Sequence, residues 1–240
     1  MQYKTQGLVL YTSRYSDRFS VAHVFTRDFG RMAYLLPKNG GKKSKVKVSY
    51  FFPLSLLNME VEHLPLREIQ RLNEVEREFP SYEICTDEAK ISISFFLSEF
   101  LSKVLRETHE SKPLFDYLKQ SVHVLEASHR GLGNFHLAFM FGLTRFLGIF
   151  PNSDDYRPGT YFDLLNGIFV QQMPSHSHYL TQAQSTYLSV FRRINYSNMH
   201  LFRMSHAERN VLINYLLVYY RLHMYDFPPL KSLEVLRELF

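Results

Sequence analysis

The apolar residues of this chain repeat with a period of two as far as Pro80 and with a period near 3.6 beyond it. That change of rhythm restricts the fold to the α+β class: a sheet unit first, helices after. Before Pro80, residues 6–12, 20–26 and 31–37 are rich in Val, Leu, Tyr and Phe and are separated by short polar stretches, which predicts three strands. Arg27-Asp28-Phe29-Gly30 has the length and the glycine of a hairpin connection. Residues 54–63 predict a fourth strand, with Leu54, Leu56, Glu60 and Glu62 alternating against Ser55, Leu57, Met59 and Val61. Residues 67–75 supply a fifth. Five short strands with a loop between the third and fourth suit a five-stranded OB-fold β-barrel over residues 1–80. An SH3-like barrel or an open meander has the same periodicity and stays open at this point.

Residues 81–240 predict an all-helical domain. Asp87 caps a helix running to about Glu110, and Pro113 suits the first turn of the next, which reaches about Ser128. Asn134 opens a very apolar third helix over 135–147, with Gly148 as its C-cap. Thr181-x-x-Gln184 and Ser205-x-x-Glu208 have capping-box spacing for two more. A last helix over 232–240 carries Leu233, Leu236 and Leu239/Phe240 as one apolar stripe. Residues 149–180 differ. They hold prolines, glycines and one strand-like pair, 160–164 and 167–171, joined through Leu165-Asn166-Gly167. This is a small inserted hairpin segment, too long for an ordinary connection.

Composition removes several classes of function. With Cys85 as the sole cysteine, neither a disulfide framework nor a cysteine-based zinc site can form. His176 and His178 flank Ser177 in a polar stretch poor in acids, so no metal is expected. No apolar run approaches the roughly 18 residues of a bilayer span, and the opening residues lack a signal-peptide pattern, so the protein is expected to remain where it is made. Gly-Gly-Lys-Lys-Ser at 40–44 lacks the first glycine of a phosphate-binding loop, and no Gly-x-Ser-x-Gly elbow occurs. Asp154, Asp155 and Asp163 are thin for a two-metal nuclease. A binding protein, not an enzyme, is expected.

Charge locates the binding. Residues 1–80 hold 13 Lys and Arg against 8 Asp and Glu, whereas residues 81–240 hold 15 of each. A basic first third points to a polyanion. Lys38, Lys42, Lys43, Lys45 and Lys47 fall in a ten-residue stretch without an acid, Arg14 and Arg18 flank the first loop, and Arg27 and Arg31 flank the hairpin. Tyr15, Phe19, Phe29 and Tyr34 lie among them. Cations interleaved with aromatics are what sequence-tolerant binding of single strands requires. The aromatics serve equally well as core, and a lysine run also serves as a solvated, edge-protecting loop.

Gly7-Leu8-Val9-Leu10, Tyr15-Ser16-Asp17 and Thr26-Arg27-Asp28-Phe29-Gly30-Arg31 resemble the opening of RecO recombination mediators. The resemblance continues in Phe52-Pro53-Leu54, in Asn134-Phe135-His136-Leu137, in Phe146-Leu147-Gly148 with Pro151, and in Pro229-Leu230-Lys231-Ser232-Leu233 through Arg237-Glu238-Leu239. It implies binding of single- and double-stranded DNA, annealing of complementary strands, and loading of the RecA recombinase onto strands coated by single-stranded DNA-binding protein. RecR and the acidic, Phe-ended tail of that coat protein are the implied partners, the cytoplasm and nucleoid of a bacterium the implied setting, and no cofactor is implied. Lys231 and Arg237 are candidates for a second contact. Two departures stand out: the four-cysteine zinc module of many relatives is missing from 149–180, so packing alone is expected to hold that segment, and Tyr11 replaces the usual arginine of the first strand. An RNA-binding OB protein and a protein–protein adaptor remain the rival readings.

Overall fold

The computed structural model describes residues 1–38, 45–106, 110–152 and 155–240. Strands β1 (Gln2–Arg14), β2 (Phe19–Thr26), β3 (Gly30–Pro37), β4 (Leu56–Glu62) and β5 (Ile69–Arg77) form a closed barrel in the order β1-β2-β3-β5-β4. All pairings are antiparallel except β3 with β5, where Ala33, Tyr34 and Leu35 face Ile69, Gln70 and Arg71. This is the OB topology. Alternate residues of each strand point inward, and Val9, Val24, Leu36, Leu57, Met59, Val61 and Val75 fill the interior with Tyr34. Gly7 marks where that interior is tightest, because a Cβ there would lie 2.5 Å from Val24 Cγ1. The predicted hairpin forms: Gly30 takes φ +65°, and Thr26 Oγ1 accepts from the Phe29 N–H.

The chain folds into two compact units, one of Met1–Ala127 with Leu230–Leu236, the other of Ser128–Pro229 with Arg237–Phe240. In the first, α1 (Tyr82–Thr86) precedes α2 (Glu88–Val104) and α3 (Lys112–Ala127). Asp87 caps α2 by accepting from the Lys90 N–H, as its position predicts. The helix stops at Val104 and not near Glu110. Beyond Leu105 the side chains through Glu110 are all polar and offer nothing to bury. Helix α1, too short to show a period, is fastened by Glu126, whose carboxylate accepts from the Glu83 and Ile84 N–H groups.

The second unit holds α4 (Leu132–Leu143), the short strands β6 (Tyr161–Asp163), β7 (Ile168–Val170) and β8 (Tyr179–Leu180), α5 (Gln182–Arg193) and α6 (His206–His223). Both capping boxes form, at Thr181 with Gln184 and at Ser205 with Glu208. Asn134 does not open α4. Gly131 does, with φ +74°, while buried Asn134 donates its amide to the Met199 and Phe202 carbonyls. A cap-type side chain has been taken by acceptors more than sixty residues away, which local sequence cannot reveal. Gly148 has the expected positive φ but ends a run of turns after the helix.

The inserted pair gains a third strand, β8, so the segment is a sheet in the order β7-β6-β8. Packing is not its only support. The buried carboxylate of Asp163 accepts from the Leu165 and Asn166 N–H groups, the Asn166 amide and His176 Nε2. Burial pushes this carboxyl up, but those donors together outweigh it and hold the group below the usual aspartate range. A depressed folded pKa stabilises fully above the unfolded value and fades as pH falls through the folded one. Asp163→Asn should therefore lower stability by about 1–3 kcal/mol near neutrality. Melting curves of wild type and variant should converge below about pH 4; a gap that persists at lower pH would refute the assignment.

The last helix, α7 (Leu233–Leu239), buries Leu233 and Leu236 but leaves Leu239 45% exposed. The expected stripe is thus two residues deep. Each three-residue step turns back about 60° around a helix, so Leu239 lies roughly 120° from Leu233. Among the described residues, no helix is long and apolar enough to cross a membrane.

Candidate nucleic-acid interface

Strand direction brings most of the predicted cations to one end of the barrel. Arg14 ends β1, Arg18 precedes β2, Lys38 follows β3, and Val75 near the end of β5 donates its N–H to the Lys45 carbonyl. The connection from β1 to β2 is tight: the Tyr15 and Ser16 N–H groups both donate to the Phe19 carbonyl, and Ser16 Oγ accepts from the Phe19 N–H. Lys38 ties the end of β3 to it through its backbone N–H to the Arg18 carbonyl and its Nζ, 2.6 Å from the Ser16 carbonyl. Arg14 pairs with Asp17 at 3.0 Å, but both side chains are so exposed that the pair contributes little and is easily exchanged for another anion.

After the end of β3, Lys47 Nζ and the Arg77 guanidinium of β5 lie 5.5 and 5.2 Å from the Tyr50 ring centroid. Lys45 is matched differently. Its Nζ is 2.7 Å from a Glu74 carboxylate oxygen, and that hydrogen bond and charge raise its pKa. Lys42 and Lys43 lie outside the described residues.

Two of the predicted arginines do not join the cluster. Arg27 sits in the hairpin at the far end of β2, roughly 25 Å of strand away, and its guanidinium is 3.3 Å from Asp116 on α3. Arg31 donates to the Ser102 carbonyl of α2 and to the Tyr11 hydroxyl, both at 3.0 Å, and so braces the barrel against a helix. Tyr11 stacks on His23 at 4.2 Å. The aromatics also divide. Tyr34 is core, fully buried, and burial pushes its phenol well above the usual range, so it stacks on nothing external. Phe29 is stacked on His63 at 4.4 Å. Tyr15 stands 61% exposed between Arg14 and Arg18, and Phe19 is half-buried beside it.

Tyr50 and Arg77 complete the cluster, and neither was singled out from the sequence. The signal for Tyr50 was the run Tyr50-Phe51-Phe52-Pro53 after the lysines, whereas Arg77 carried none in the sequence. Phe51, Phe52 and Pro53 of that run form one wall of a groove of about 680 Å³, in which Val48, Phe52 and Phe95 meet Lys103 of α2 and Arg106 just beyond its end. Phe95 is 50% exposed and meets Phe52 edge to face. Glu99, which also lines the groove, accepts from the Lys231 and Ser232 N–H groups and from Ser232 Oγ. Burial raises this carboxyl, yet those bonds and the nearby Lys103 charge bring it below the ordinary glutamate value. Of the two candidate second contacts, Lys231 is exposed at its side chain, while Arg237 donates to the Asn214 side-chain carbonyl.

Among the described residues no cluster of three or more His, Cys, Asp or Glu could hold a metal ion. The site is a row of cations, Arg14, Arg18 and Lys47 exposed and Lys38 and Arg77 half-buried, with the exposed Tyr15 and half-buried Tyr50 rings among them. Such a row can neutralise successive phosphates while the rings accept unpaired bases, and both interactions tolerate any sequence.

Residues 1–78 match the model for the N-terminal domain of recombination protein O, and residues 85–234 match the model for its C-terminal domain. The chain is 42% identical over 240 residues to the DNA repair protein RecO of Azobacteroides pseudotrichonymphae and equally to that of Phocaeicola vulgatus, with complete coverage of both chains in each case. It is 30% identical over 243 residues to the same protein of Flavobacterium psychrophilum, again over the whole of both.

Proposed function

The chain belongs to the RecO family, and from that premise we propose that it is a DNA-repair mediator that binds single- and double-stranded DNA and anneals complementary strands without catalysis. The observation that carries the reading is the gathering of Arg14, Arg18, Lys38 and Lys47 with Arg77 and exposed Tyr15 at one end of the barrel. Annealing requires that two polyanions approach. Their mutual repulsion falls when each phosphate meets a cation and a condensed counterion is released. Mobile lysine and arginine side chains can do this without fixing a register, so the paired product is free to leave.

The partners follow the family: RecR, and the acidic Phe-ended tail of the protein that coats single strands, in bacterial cytoplasm. The groove beside α2 has suitable chemistry for that tail. Val48, Phe52 and Phe95 can enclose a phenyl ring, while Lys103 and Arg106 can meet carboxylates, and the Glu99 carboxylate is engaged with Lys231 and Ser232. One experiment covers both parts. Complementary labelled oligonucleotides, bare or coated with single-stranded DNA-binding protein, are mixed with the protein in the absence of ATP. Faster pairing is expected in both cases, and Lys103→Glu with Arg106→Glu should remove it for coated strands only. Failure to accelerate bare strands would remove the annealing role. Equal or tighter binding of RNA would move the function to RNA.

A further inference from the structure

The charge balance of residues 81–240 conceals a second basic surface. Between Ala127 and Ala207 there are three acids, Asp154, Asp155 and Asp163, against six cationic side chains, every one an arginine. The second unit brings four of these arginines onto one small structure. Gly131 lies so close to the His200 backbone that a Cβ would come within 2.7 Å of the His200 Cα. This seats the loop bearing Arg130 against residues 195–203. That segment is folded back by Asn198, whose amide donates to the Arg193 carbonyl at 2.7 Å, and it is fastened to α4 by the two Asn134 bonds. Arg192 and Arg193 end α5, and Arg203 follows Phe202 directly.

All four arginines are exposed, and among the described residues none forms an ion pair. The next acid along the chain, Glu208, is occupied by the Ser205 N–H and hydroxyl of its capping box. Arg193 lies 5.9 Å from the Phe202 ring centroid, and Leu201 is 68% exposed beside it. The surface therefore pairs planar cations with apolar area, and among the described residues no carboxylate forms an ion pair with them.

We propose that Arg130, Arg192, Arg193 and Arg203 form a second contact for the phosphodiester backbone of a nucleic-acid strand, independent of the barrel end. Guanidinium forks match phosphate oxygens in two-point geometry, unlike the lysines of the first site, which act as point charges. Phe202 and Leu201 supply surface for sugar or base. One chain then engages two stretches of polyanion. The inference rests on the reading above only in taking nucleic acid as the ligand.

The test uses the full chain and a dye-labelled oligo-dT, with affinity measured as a function of salt. The Arg14→Gln/Arg18→Gln/Lys38→Gln/Lys47→Gln variant should retain weak, salt-sensitive binding. Adding Arg130→Gln, Arg192→Gln, Arg193→Gln and Arg203→Gln should abolish that remainder and lower the slope of log affinity against log salt by up to about 3 units. The matching four Arg→Lys substitutions keep the charges and should restore most of the slope, which separates lost charge from lost folding. Identical binding with and without the four Gln substitutions would overturn this inference alone. Wild-type protein that binds no oligonucleotide at low salt would overturn both readings.

Discussion

Replacing Arg14, Arg18, Lys38 and Lys47 together by Gln should flatten the dependence of log affinity on log salt by up to about 3 units on single strands, at about 0.7 for each phosphate no longer neutralised. The loss of affinity then depends on the buffer. A 3-unit change in slope is up to roughly 100-fold at 0.2 M salt and more than 1000-fold at 0.05 M, because the entropy of counterion release grows as bulk salt is diluted. Folding should survive, since the exposed charges of Arg14, Arg18 and Lys47 seldom contribute more than about half a kcal/mol each, and Lys38→Gln gives up one hydrogen bond to the Ser16 carbonyl, worth about 1 kcal/mol. Lys45 is left out of the set deliberately. Its ammonium is already matched by Glu74, so Lys45→Gln alone should change the slope least. Arg27→Gln should likewise have little effect, because Asp116 already neutralises it. A folded quadruple variant with an unchanged slope would mean that the barrel end does not meet phosphate.

The second large effect is on stability. Leu236→Ala should cost about 2–5 kcal/mol, because a side chain only 1% exposed leaves a cavity that its surroundings fill incompletely. Leu239→Ala, three residues on in the same helix, should cost less than about half a kcal/mol. The contrast is the informative quantity. Denaturant midpoints that shift equally for the two would mean that α7 frays or detaches as a unit and is not anchored by one face. Glu99 gives this anchoring a polar component, since it receives the Lys231 and Ser232 N–H groups just before the helix begins.

What could be read in the sequence follows the range of the interactions involved. The five strands, the Asp87 cap and both capping boxes were legible, because period and cap chemistry act over two to four residues. Asn134 was misread for the opposite reason: its partners are Met199 and Phe202. Tyr34 lay among arginines in the chain, yet inward alternation along β3 makes it core. The site was legible in composition but not in geometry. The lysine run and the flanking arginines pointed to the barrel, but only strand direction shows that Arg27 lies at the other end and that Arg77 belongs to the group. The arginines of the second unit were hidden by averaging, because acids elsewhere in residues 81–240 cancel them.

The parallel pairing of Ala33–Leu35 with Ile69–Arg71 has a further consequence. By closing the barrel it leaves no strand with a whole side unpaired, which disfavours extension of that sheet by the main chain of a foreign peptide or of another copy. In the second unit the outer strands β7 and β8 span three and two residues, too few to template an incoming segment. Partners of the barrel must therefore be recognised through side chains and loops. Their affinity can be tuned by surface substitution without disturbing the hydrogen-bonded frame beneath.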